Sequence, residues 1–204
     1  MPAPMALAVW WGDRFNRLFQ NPESAPSIKR VHAKVKMAGE RKLSTIEGAW
    51  LDSSEVEPGG TLAGKIALRP WRGERVVREF KVQVPAALAA GEHRLLISDG
   101  DTLNRAQAMA AIVNRNTLDL AQVVSLMNQE KGNDNVYVSL LETRPTVYTG
   151  DQQLGGMPPS MLNAMQAGRT SRPVAATAET VSISTLLKSD EIVSGNVALR
   201  FKVK

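Results

Sequence analysis

Between Leu62 and Arg69 one face carries Leu62, Gly64, Ile66 and Leu68, while Lys65 and Arg69 take the other. A period of two marks a strand with one buried face, because successive side chains point to opposite sides of a sheet. The same alternation recurs along the chain. Val31, Ala33, Val35 and Met37 oppose Arg30, His32, Lys34 and Lys36; Val76, Phe80, Val82 and Val84 oppose Val77, Glu79, Lys81 and Gln83. Lys42–Leu51, Arg94–Ser98, Asn135–Glu142, Thr146–Tyr148, Thr180–Leu187 and Gly195–Lys204 read as further strands. In the last, Val197, Leu199, Phe201 and Val203 face inward, and Arg200, Lys202 and Lys204 face out.

Gly and Pro punctuate these runs. Pro58-Gly59-Gly60 and Pro70-Trp71-Arg72-Gly73 lie between two strands. Phosphate-cradling loops instead set their glycines between a strand and a helix N-terminus, so these glycines are turn chemistry. Strands of this length at this spacing predict an antiparallel, immunoglobulin-like β-sandwich.

Three stretches have helical spacing. Ala6–Phe19 places Leu7, Trp10, Trp11, Phe15, Leu18 and Phe19 near one period, and Asn21-Pro22 stops it. Asp101 or Thr102 caps a second helix bearing Leu103, Ala106, Met109, Ala110 and Val113. Thr117 caps a third bearing Leu120, Val123, Val124 and Met127, with Gly132 as its stop. Pro159 or Ser160 opens a short helix through Gln166, between the loop Gly150–Ser160 and an exposed connector ending at Glu179. The predicted fold is thus mainly β with α insertions. Its parts are a helix and connector (1–26), sandwich-like strands (27–98), a helical hairpin (99–133), and strands with a short helix completing the sheet (134–204).

Composition narrows the chemistry. A 204-residue chain without cysteine offers no disulfide, thiolate ligand or cysteine nucleophile. Of its two histidines, His32 sits among lysines, a poor place for a metal ligand, and His93 begins a strand. Ser98, Asp99 and Asp101 follow His93, but five strand residues span roughly 16 Å, beyond hydrogen-bond reach. Asp99 and Asp101 flank Gly100 without further ligands at calcium-loop spacing. No nucleophile-elbow, Walker-type or dinucleotide-binding glycine pattern occurs. The reading therefore assigns no catalytic residue, no cofactor and no metal.

The net charge of +5 lies in residues 1–98, with 15 Lys and Arg against 10 Asp and Glu, interspersed rather than clustered. Few aromatics accompany these cations, which favours a solvated basic face over a nucleic-acid groove. No apolar run reaches the roughly 20 residues that span a bilayer. The apolar start lacks the basic segment and cleavage site of a signal peptide, so on its own residues the chain reads as soluble and not exported. Candidate protein contacts are Trp10 and Trp11, Trp71 in its turn, and Met157 and Met161 within Leu154–Leu162. In a hairpin turn, Trp71 is either a lid over its own sandwich or a contact anchor.

The stretches "RFNRLFQNPESAPSIKRVHAKVKM", "TIEGAWLDSSEVEPGGTLAGKIALRPWRGERVVREFKVQVPAALAAGEHRLLISDGDTLNR" and "NVYVSLLETRPTVYTGDQQLGGMPPSML", with the closing "VSGNVALRFKVK", carry a resemblance. Together they resemble the region downstream of the protease domain in large bacterial, notably acidobacterial, SpoIVB-type serine peptidases. The resemblance implies an envelope-targeted parent whose serine nucleophile lies in a Gly-x-Ser-Gly-Ser type motif. That motif is absent here, so no catalytic residue carries over. The expectation is a non-catalytic β-rich accessory module that contacts a peptidase domain or an envelope protein, in the cell envelope or periplasm. The competing expectations are a hydrolase with an unrecognised site and a basic nucleic-acid-associated protein.

Overall fold

In the computed structural model, residues 3–21, 24–35, 40–112, 120–142, 146–149, 152–154, 160–161, 164, 175–177 and 180–204 are described. In chain order the elements are α1 (Ala3–Phe19), β1 (Leu43–Leu51), β2 (Glu55–Val56), β3 (Thr61–Pro70), β4 (Val76–Gln83), β5 (Gly91–Ser98), α2 (Gly100–Ile112), α3 (Leu120–Asn128), β6 (Asn135–Glu142), β7 (Thr146–Thr149), β8 (Gln152–Leu154), β9 (Ala175–Thr177), β10 (Thr180–Lys188), β11 (Ile192–Ser194) and β12 (Asn196–Val203). The protein is mainly β, as the alternation predicts.

Two curled, half-barrel sheets hold the core. The first has the order β11-β1-β3-β4, the second β10-β6-β5-β12-β2. Ile46, Leu62, Ile66, Leu68, Phe80 and Val82 from the first meet Leu95, Ile97, Val138, Leu140, Phe201 and Val203 from the second in one buried cluster. These are the apolar halves of the alternating runs, so hydrophobic burial selects the inward face of each strand. Pairing is mostly antiparallel. Two edges depart from the all-antiparallel expectation: β11 joins β1 in parallel, and β2 joins β12 in parallel. At two and three residues, these edge strands are too short to show a period.

A third sheet, β8-β7-β9, flanks the predicted strand β7 with two strands in residues read as loop and connector. Gln152–Leu154 and Ala175–Thr177 pair with the two sides of β7. The reverse correction applies to Ser27–Val35. Its alternation is as clean as that of β3, yet the segment forms no strand and is exposed throughout. Alternation chooses which face is buried only after a partner supplies hydrogen bonds, and among the described residues no strand pairs with this segment. Most of the short helix expected at 159–166, and the Thr117 cap, lie outside the described residues.

The helix α2 starts earlier than the sequence suggests. The Asp99 side chain, not Asp101 or Thr102, caps α2: the Thr102 N–H donates to Asp99 Oδ1 at 2.6 Å. The other oxygen accepts the Gly195 N–H at 2.7 Å, tying the helix start to the β11–β12 turn. Asp101 N–H and Asp101 Oδ2 instead engage the Asn133 side chain. Gly132 lies beyond the end of α3 and does not stop it. A Cβ on Gly100 would come within 2.5 Å of the Gly132 carbonyl oxygen, so glycine lets the loop close on α2. Leu103 is fully buried where α2 packs on β6 and β10.

Candidate functional site: a tryptophan–arginine rim

A bulge in β1 builds the site. Ile46 pairs with Leu68, but Gly48 pairs with Ala67, leaving Glu47 as an extra residue. One extra residue exchanges the faces of everything after it. Ser44 and Ile46 are buried before it, Ala49 and Leu51 pack on the core after it, and Trp50 is turned outward to 39% exposure. The displaced Glu47 carboxylate lies on the outer face, hydrogen-bonded by the Arg69 guanidinium and 3.6 Å from that of Arg75. The Arg69 hydrogen bond, and then the charges of Arg69 and Arg75, hold Glu47 below the usual carboxylate range.

Arginines also cover the rings. The Arg75 guanidinium is 5.8 Å from the Trp50 ring centre, and that of Arg41 is 4.3 Å from Trp71. Arg72 lies 5.9 Å from the same Trp71 ring. Trp71 is half exposed, so it closes no lid over the core. Its backbone N–H donates to the Leu43 carbonyl at 2.7 Å, anchoring the β3–β4 turn on the first residue of β1. Val76 and Val77 extend the apolar surface along exposed β4. From Leu43 to Trp50 the rim follows β1 for roughly 23 Å. Cation–π contacts place guanidinium groups beside both rings.

The remaining candidates lie elsewhere. Trp10 is exposed on α1, T-shaped to Trp11 at 6.0 Å and under the Arg14 guanidinium at 4.5 Å; Trp11 also packs on Phe15. Met161 is exposed, and Met157 lies outside the described residues. Thus, of the predicted contact residues that are described, Trp71 alone belongs to the rim. Sequence reasoning missed Trp50, Arg41, Arg72 and Arg75 as its partners. Their one sequence signal is the arginine density around a turn tryptophan.

The residues weighed for chemistry are separately engaged. His93 Nε2 is 2.7 Å from the Ala89 carbonyl, and the ring packs on Phe201 at 5.7 Å. Ser98 is fully buried with no hydrogen-bond partner for its hydroxyl. Asp99 serves the α2 cap and Gly195. Among the described residues no group of three or more His, Asp or Glu side chains is placed to hold a metal. A depression lined by Ser44, Leu68, Pro70, Val76, Arg78, Ser189, Asp190 and Glu191 encloses about 170 Å³, below the range of ordinary small-molecule sites. No protein family, curated protein or solved structure matches the chain.

Proposed function

We propose that the chain is a non-catalytic accessory module, immunoglobulin-like in the packing of its two sheets, which acts by contacting a SpoIVB-type peptidase domain through the rim. The observation that carries this reading is the pairing of exposed tryptophans with guanidinium groups at one side of a rigid sheet. Tryptophan and arginine dominate the energetics of protein interfaces because they bury much area and donate fixed hydrogen bonds. Support also comes from the Trp71–Gly73 turn: Arg72 has φ 59°, the left-handed region that favours glycine. A strained arginine beside Trp71 is the kind of local cost found at binding surfaces.

Calorimetric titration of the purified chain with an isolated SpoIVB-type peptidase domain tests the proposal. Saturable binding is expected, and Trp71→Ala should weaken it about 30-fold, the size of a hot-spot loss near 2 kcal/mol. Absence of binding, or undiminished binding by the variant, would contradict it. Specific labelling of the purified chain by a serine-directed activity probe would favour a hydrolase instead.

A further inference from the structure

The N-terminal half of α1 presents Met5, Ala6, Leu7, Ala8, Val9 and Trp10, all exposed. A helix apolar on every side is normally covered by protein or lipid. Among the described residues, the ion pairs of this helix lie in its other half. Arg14 and Arg17 both pair with Glu130, beyond the end of α3, and Arg17 also pairs with Asp13 at 2.9 Å. The six apolar residues rise roughly 9 Å along the helix. An interfacial helix lies in the plane of the bilayer and sinks its apolar side about 5–10 Å. No helix among the described residues is long and apolar enough to cross a membrane.

Charge identifies the cover. Residues 1–35 hold five Lys and Arg against two Asp and Glu, a net +3. Lys29, Arg30 and Lys34 lie on the exposed extended segment that follows α1, with no acid between residues 24 and 39. Trp10 and Trp11 sit at the junction of the apolar end and the first arginine, the position tryptophan favours at a membrane–water boundary.

We infer that α1 and the segment 24–35 dock the protein on an anionic lipid bilayer, the apolar end entering the interface and Lys29, Arg30 and Lys34 facing lipid headgroups. This surface is distinct from the rim of β1 and the β3–β4 turn, and its test does not depend on the peptidase partner.

The test is sedimentation of the full chain with vesicles of phosphatidylglycerol and phosphatidylcholine, read together with tryptophan emission. The chain should partition onto these vesicles with a blue-shifted emission, and onto pure phosphatidylcholine far less. Leu7→Glu with Val9→Glu should abolish both signals. Lys29→Gln with Lys34→Gln should weaken partitioning about 25-fold, each cation near an anionic surface being worth about fivefold. Trp71→Ala should partition like the unaltered chain. All substituted positions are exposed, and an unchanged circular-dichroism spectrum will verify folding. No partitioning, equal partitioning onto neutral vesicles, or partitioning that survives Leu7→Glu with Val9→Glu would overturn the inference. So would a dimer abolished by those two substitutions, which would assign the apolar end to a second copy.

Discussion

Arg72 occupies backbone space where a side chain costs roughly 1–2 kcal/mol, while glycine enters it freely. Glycine also loses more backbone entropy on folding, which offsets part of that relief. Arg72→Gly should therefore leave stability unchanged or raise it by up to about 1 kcal/mol, while weakening partner binding. Denaturant melts beside the calorimetric titration check both halves. Tyr137 gives a separate residue-level test. Its hydroxyl donates to the Gly132 carbonyl at 3.0 Å, and burial pushes its pKa above the ordinary value. The fold favours the protonated phenol, so this contribution is intact below the unfolded pKa of about 10 and is lost as pH rises through the folded one. Tyr137→Phe should flatten the alkaline limb of stability above that pH, measured by urea midpoints at increasing pH. A limb identical to that of the unaltered chain would refute the assignment.

At the scale of elements, the two sheets are joined by rings that each is separately predicted to bury. Phe80 on β4 and Phe201 on β12 are both 2% exposed in the common cluster. Phe80→Ala and Phe201→Ala should each cost roughly 3–5 kcal/mol; unchanged melting of either would mean that its strand faces the other way. These faces were legible because long strands with one buried side must alternate; β6 also falls on its predicted span Asn135–Glu142, although it is buried on both faces from Val136 to Leu140. The Glu47 bulge was less legible. Counting by twos from Ile46 places Trp50 inside, and the one mark of the inserted residue is Gly48, a strand glycine of the kind that accompanies bulges. Ser27–Val35 failed for the opposite reason: its pattern is right, but pairing is a long-range event that local order cannot report. β2, β8, β9 and β11 hold too few residues to display a period at all. Trp71 could be singled out because Pro70 and Gly73 fix a turn around it. Its arginine neighbours could not, since Arg41 reaches it from before β1.

Across the whole molecule, a neutral β-rich body carries a cationic N-terminal part, and exposed tryptophans fall into two places, α1 and the rim. The buried cluster draws on both sheets, so the rim stands on a rigid support and can present its rings without ordering a loop on binding. Such preorganisation is what an accessory module acting by contact requires, and it leaves α1 free for a different surface. The most direct measurement is amide hydrogen exchange of the chain with and without a saturating SpoIVB-type peptidase domain. The account predicts new protection at Ala49–Leu51 and across Trp71–Val77, with α1 unchanged. No protection there, or protection confined to α1, would contradict it.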